Sequence, residues 1–168
     1  MKLKNIFILL MMAATLQGCG IYSFTGVSDL PGVTTFQVNY FQNTAAIVEP
    51  GIDREFTNKL QDIIQNQTSY ELVTSGGDII YEGEITQYYI APITATAQNT
   101  AAQNRLTIAV NVQFYNTKND EDDLQQTFSF YFDYAGAAQL TGGQRDTAVE
   151  EIFDRITQDI VNATLAKW

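Results

Sequence analysis

Leu106-Thr-Ile-Ala-Val-Asn-Val-Gln-Phe-Tyr115 decides the fold class of this chain. Leu106, Ile108, Val110, Val112 and Phe114 fall on one side of an extended segment, and Thr107, Ala109, Asn111, Gln113 and Tyr115 on the other. Side chains alternate between faces in a strand, so the stretch predicts a strand with one face in a core and one face open. Gln126 to Tyr134 repeats the pattern, with Phe128, Phe130, Phe132 and Tyr134 set against Thr127, Ser129, Tyr131 and Asp133. Half-buried strands of this kind suit antiparallel pairing.

Moving outward, Ile79 to Ile90 predicts a longer strand with Ile79, Tyr81, Ile85 and Tyr89 toward the core. Gly83 inside it marks a bulge or a closely packed neighbour. Val33 to Phe41 predicts a first strand, with Phe36, Val38 and Tyr40 on one face, and Tyr70 to Thr74 a short one. Ile52 to Asn66 carries Ile52, Phe56, Leu60, Ile63 and Ile64 at helical spacing. Asp146 to Leu165 does the same with Val149, Ile152, Phe153, Ile156, Ile160 and Val161. Thr147 and Glu150 have the spacing of a capping box at the start of that helix. Asp146-Thr147-Ala148 also matches a short O-glycosylation signal. The first strand, helix and strand form a crossover unit giving parallel neighbours, and the later strands form hairpins. The expected architecture is α/β (α+β): a two-layer sandwich, a mixed sheet of about four to five strands with two amphipathic helices on one face.

The amino terminus says where such a domain resides. Lys2 and Lys4 precede an apolar run from Ile6 to Leu16, followed by Leu16-Gln-Gly-Cys19, and Cys19 is the only cysteine. A charged region, a short apolar region and a small residue at the cut site describe a signal peptide. A cysteine directly after that small residue describes a bacterial lipobox. Residues 1–18 are the expected signal peptide, cleaved between Gly18 and Cys19, with lipid on the Cys19 thiol. Residues 19–32 read as a lipidated tether and 33–168 as one domain. The apolar run is about half the ~20 residues of a spanning helix. Three acyl chains anchor stably where one does not. Gly20, rather than an aspartate, follows Cys19, which favours an outer-membrane address with the domain facing the periplasm.

Composition removes several function classes. Without Lys2 and Lys4, seven basic residues face nineteen acidic ones, a formal charge of −12. Such a chain does not attract nucleic acid by bulk electrostatics. It has no histidine, the commonest general base and metal ligand. Ser-His-Asp and Cys-His sites are therefore excluded. Once Cys19 is lipidated no thiol remains for a disulfide, redox step or metal. The expectation is a non-enzyme with no cofactor and no metal beyond the covalent lipid. Asn119-Asp-Glu-Asp-Asp123 fails the EF-hand spacing and reads as a hydrophilic hairpin tip. Asp53 with Glu55, and Glu150 and Glu151 with Asp154, read as solvated helix faces.

The open sheet face is the candidate site. Thr107, Asn111, Gln113, Tyr115, Thr127, Ser129, Tyr131 and Asp133 are polar, mostly uncharged and rich in tyrosine. Interface cores have that composition, and so does an ordinary solvated face of strand-forming residues. Arg105, at the head of the cleanest strand, is either a receptor for an anionic group or the partner of a nearby acid. The low-charge loop 92–104 is long for a strand connection. Arg105, Asn111, Gln113, Tyr115 and Tyr131 are the candidate contact residues.

Several motifs run in an order that resembles a known family. They are Cys19-Gly-Ile-Tyr-Ser-Phe-Thr-Gly26, Thr35-Phe-Gln-Val-Asn-Tyr-Phe41, Ser75-Gly-Gly-Asp78 with Glu82-Gly-Glu-Ile-Thr86, Asn104-Arg-Leu-Thr-Ile108 and the terminal Trp168. With the lipobox, they resemble the LptE family of lipopolysaccharide-assembly outer-membrane lipoproteins. The resemblance implies a two-layer α/β fold and a large LptD-like outer-membrane β-barrel as partner. It also implies a position as a plug in that barrel, and a part in delivering lipopolysaccharide, with lipopolysaccharide itself as a further ligand. Two other readings compete: a periplasmic lipoprotein holding a hydrophobic ligand or lipid between helices and sheet, which needs a cavity of roughly 300 Å³ or more, and a carboxylate hydrolase, which needs two acids in one cleft.

Overall fold

The computed structural model describes residues 30–47, 49–93, 103–136 and 139–166. The signal peptide, Gly18, Cys19, most of the tether and Trp168 lie outside the described residues. Elements follow in the order β1 (Thr35–Val38), β2 (Gln42–Asn43), α1 (Ile52–Gln67), β3 (Glu71–Leu72), β4 (Ile79–Pro92), β5 (Gln103–Asn116), a 3-10 turn (Asp120–Asp122), β6 (Leu124–Ala135) and α2 (Gly142–Leu165). The sheet runs β3-β1-β4-β5-β6, with β2 also on β4. β1 is parallel to β3 and β4, and β2 is parallel to β4. β4, β5 and β6 form an antiparallel meander. The sheet is thus mixed, as the sequence predicts, and gains its sixth strand from β2, which continues the line of β1 along β4.

The core forms where the alternating strands meet the helix stripes. Leu106, Ile108, Val110, Val112 and Phe114 of β5 are sealed. So are Ile52, Phe56, Leu60 and Ile64 of α1, and Val149, Ile152, Phe153, Ile156, Ile160 and Val161 of α2, while Ile63 is partly buried. Phe41 meets Phe56 edge-on at 5.0 Å between centroids, and Phe56 meets Phe153 at 5.1 Å. These rings link the sheet side to both helices. Each such pair contributes about 0.5–1.5 kcal/mol beyond its buried area. Tyr81 is sealed beside Phe114, and its hydroxyl shares a 2.9 Å hydrogen bond with Thr164 Oγ1. Burial pushes the Tyr81 phenol well above its ordinary pKa.

Two polar fasteners hold the ends. The Asp78 carboxylate accepts from Thr34 N–H at 2.9 Å, Thr34 Oγ1 at 3.0 Å and Thr35 N–H at 3.1 Å, and pairs with Lys118 at 2.7 Å. Lys118 and these donors hold Asp78 well below the usual carboxylate range. At the other end Arg145 of α2 donates to Glu49 at 3.0 Å and Glu55 of α1 at 2.8 Å.

Three sequence expectations are corrected. The first strand does not run through to Phe41: the Phe41 N–H leaves the ladder and donates to Thr57 Oγ1 at 3.2 Å. That turn sends Phe41 into the core and leaves Tyr40 on the surface, 55% exposed. In β4 the register shifts between Ile85 and Gln87. The extra residue flips every later side chain to the other face, so Tyr88 is buried and Tyr89, expected inside, is 59% exposed. Finally α2 begins at Gly142 rather than Asp146, and Thr147 bonds back to the Gly143 carbonyl at 2.9 Å inside the helix. No capping box forms.

Candidate functional site

Both helices pack on one side of the sheet, and among the described residues no helix or strand covers the other side. Register fixes what it displays. Across β4, β5 and β6 the facing rows are Glu82–Gln113–Gln125, Glu84–Asn111–Thr127, Gln87–Ala109–Ser129, Tyr89–Thr107–Tyr131 and Ala91–Arg105–Asp133. The five candidate residues, Arg105, Asn111, Gln113, Tyr115 and Tyr131, therefore share this face. Tyr89 and Tyr131 flank Thr107 from the two outer strands, and Tyr115 extends the same side of β5.

The β4 bulge divides the face chemically. One half carries the exposed rings of Tyr89 and Tyr131 beside Arg105 and Asp133. The other carries amides and carboxylates around a shallow groove of about 340 Å³, lined by Asn39, Tyr40, Gln42, Glu82, Glu84, Asn111 and Gln113. Within it Asn39 donates to Glu82 at 3.1 Å, Tyr115 Oη donates to Gln113 at 2.7 Å, and Asn111 Nδ2 reaches Thr127 Oγ1 at 3.4 Å. Asn39, Asn111 and Gln113 are half-buried and each already makes at least one of these bonds.

Arg105 has an acid beside it. It makes a two-pronged contact with Asp133, 2.7 and 2.8 Å, and lies 3.7 Å from the Tyr131 ring centroid. Asp133 holds the guanidinium more firmly protonated, and Arg105 holds the Asp133 carboxyl below its ordinary range. The acid of β6 is its partner in a surface pair whose two side chains remain 36% and 39% exposed. The acidic segment 119–123 is the β5–β6 tip, as expected: Asn116 donates its N–H to Asp123 and its Nδ2 to Asp122, each at 2.8 Å. Among the described residues no group of three acids gathers to hold a metal.

The loop 92–104 is shorter than the sequence suggests. Pro92 pairs with Asn104, and Ile93 N–H donates to Gln103 at 2.9 Å. Residues 94–102 lie outside the described residues. Sequence reasoning missed Tyr89, Glu82, Glu84 and Asn39 on this face. Tyr89 was missed because the register shift between Ile85 and Gln87 reverses the alternation that follows it.

Fold and face together define a class: an α+β sandwich with one side covered by helices and one bare, polar, tyrosine-bearing sheet face. A family model described as LptE, lipopolysaccharide-assembly, matches residues 33–164, and the chain belongs to that family. Among solved structures it is similar to CT253 from Chlamydia trachomatis, with a TM-score of 0.51 and 8% identity over 80% of this chain and 99% of that one. XCC0632 from Xanthomonas campestris matches with a TM-score of 0.51 and 12% identity, over 83% and 90%. Rare lipoprotein B from Shewanella oneidensis matches at 0.49 and 8% identity, over 76% and 89%. At such identities CT253 and XCC0632 share the fold alone with this chain. No curated protein matches the chain in sequence. Among the described residues no helix is long and apolar enough to cross a membrane.

Proposed function

We propose that this lipopolysaccharide-assembly family member is a non-enzymatic lipoprotein, held on the periplasmic side of the outer membrane by lipid on Cys19. It partners a large LptD-like β-barrel as plug and assembly factor, helping lipopolysaccharide reach the outer leaflet. It works without a cofactor. The single observation that carries this reading is the bare sheet face. It presents exposed tyrosines and amide side chains beside Glu82, Glu84 and the paired Arg105 and Asp133, and tyrosine and arginine are enriched in interface cores. A polar barrel interior matches such a face in hydrogen-bonding chemistry.

The ligand-carrying alternative needs open space between helices and sheet. Rings occupy the middle of that space, with centroids 5.0 Å apart for Phe41–Phe56, 5.1 Å for Phe56–Phe153 and 4.9 Å for Tyr81–Phe114, which argues against it. The test is a gentle-detergent pull-down of the tagged protein from outer membranes, with mass spectrometry of what accompanies it. A near-stoichiometric large β-barrel is expected with the native chain, and its loss with Asn111→Lys combined with Gln113→Glu. Unchanged co-purification of the double variant counts against the face. Absence of any barrel counts against the partner.

A further inference from the structure

Glu82 and Glu84 stand on the same face of β4, the central strand of the sheet, with one residue between them. Glutamate is a poor strand former, and a sheet surface gains when opposite charges face each other across strands. Among the described residues neither glutamate has a partner of opposite charge. Gln113 and Asn111 stand opposite them on β5, and Gln42 stands beside Glu84 on β2. Asn39 donates to Glu82 at 3.1 Å. Two carboxylates thus lie in a ring of neutral amides. Glu84 has no side-chain partner at all among the described residues.

The described residues hold no cation to spare for them. Lys59, Arg105, Lys118, Arg145 and Arg155 are each paired with an acid elsewhere. Arg54 acts on its neighbour Asp53. The other half of the bare face differs, because its two charges, Arg105 and Asp133, cancel each other. The uncancelled negative charge of the face is therefore concentrated in the groove. One wall of that groove is Tyr40, 55% exposed, whose hydroxyl is hydrogen-bonded to Asp53 of α1. An exposed ring tethered beside carboxylates suits a guanidinium or ammonium group, which pairs with the acid and lies on the ring.

We infer that this groove docks a basic strand, with Glu82 and Glu84 receiving arginine or lysine side chains two residues apart on the inner wall of the partner barrel. The inference rests on the barrel reading for the partner's identity and adds the chemistry that partner must present. Spacing and charge both lead to it. Glu82 and Glu84 are roughly 6.8 Å apart along an extended strand. Lumen-facing residues of a barrel wall recur at every second position, so they repeat at the same distance. Opposite charge on the partner makes the two surfaces complementary, which steers association and rejects partners of like charge. Among the described residues no third acid joins the two to make a metal site.

The experiment uses the full chain in neutral detergent. It compares the native protein with a groove variant, Glu82→Gln with Glu84→Gln, and with an α2 variant, Glu150→Gln with Glu151→Gln. The α2 variant removes the same charge from an exposed helix face. Neither groove glutamate is sealed, and glutamine keeps its shape, so the groove variant should unfold in urea together with the native chain. In pull-downs at about 150 mM salt, the groove variant is expected to retain at least about tenfold less barrel than the native chain. The α2 variant is expected to retain as much as the native chain. A short peptide alternating threonine with arginine is the second probe. It is expected to shift the backbone amide NMR signals of Tyr40, Gly83, Asn111 and Gln113 in the native chain and the α2 variant, and to leave them in place in the groove variant. Full barrel retention by the groove variant overturns the inference and leaves the barrel reading standing. Equal loss by the α2 variant overturns it too, since bulk charge would then explain the loss. If the native chain brings no barrel, the barrel reading fails and the peptide decides the inference. Groove signals that move alike in all forms, or in none, overturn it, and movement lost only in the groove variant sustains a basic ligand there.

Discussion

Val110 and Val112 of β5 are sealed under the helices, while Asn111 between them stands on the bare face with one long hydrogen bond to Thr127. The same contrast runs the length of the strand. On the helix side, close-packed rings and aliphatic side chains supply the cohesion, and interiors packed like crystals tolerate little change in volume. On the bare side the contacts are short-range polar ones in water, which add little net stability. The comparison teaches that this fold is held from one face only, which leaves the other face free to be shaped for a partner. Each variant below breaks or sharpens that division.

Gly83→Ala gives the largest expected effect. Gly83 has φ +156°, and an added Cβ would lie 2.0 Å from the Asn111 carbonyl oxygen and 2.8 Å from the Phe41 ring. A side chain there must push β5 away or expel Phe41 from its contact with Phe56. The expected loss is about 3 kcal/mol, the upper end of ordinary overpacking, with backbone strain added. Urea denaturation measures it. A loss below about 1 kcal/mol would show that Phe41 is loosely seated and that the covered face is less tightly built than its geometry indicates.

Tyr81→Phe is a smaller intrusion on the same face. It keeps the ring beside Phe114 and removes one buried hydroxyl. Thr164 Oγ1 retains its 2.8 Å bond to the Ile160 carbonyl, so no donor is orphaned. The expected cost is about 1 kcal/mol, the net worth of one hydrogen bond. A neutral or stabilising result would mean that the core treats Tyr81 as a phenylalanine and that its polar tie to α2 contributes nothing.

Much of the fold was legible because β5, β6 and both helices carry unbroken periodic patterns whose period matches the structure. The failures share a physical cause. At Tyr40 and Tyr89 the chain departs from its local pattern because of events elsewhere: Thr57 captures the Phe41 N–H, and an extra residue enters β4 opposite β5. A window of sequence read alone cannot weigh those distant partners. The helix start failed differently. Gly142-Gly143 looks like a break, yet helix α2 begins there, with Gly142 at φ +58° and Arg145 of its first turn tied to Glu49 and Glu55. The candidate face was legible for β5 and β6, where alternation assigns it, and illegible for β4, where the bulge reverses it. The Arg105–Asp133 pair was open from sequence because a cross-strand partner depends on register.

The smallest expected effect falls on the bare face. Asn111→Lys with Gln113→Glu leaves the net charge unchanged and adds no atom to the core. The lysine introduced at 111 faces Glu84 across β4 and gains an opposite charge, while the glutamate introduced at 113 faces Glu82 and gains a like one. Cross-strand pairs of this sort contribute roughly 0.2–1 kcal/mol each, with opposite signs here, so they offset. A carboxylate at 113 still accepts the Tyr115 hydroxyl that Gln113 accepts now. Stability in urea should therefore stay within about 0.5 kcal/mol of the native chain. A loss of 2 kcal/mol or about that would mean the amide network of the bare face helps hold the sheet, and the division between a cohesive face and a free one would fail. Retained stability with lost barrel co-purification would make the division functional, because the same two substitutions would then separate folding from recognition on a single strand.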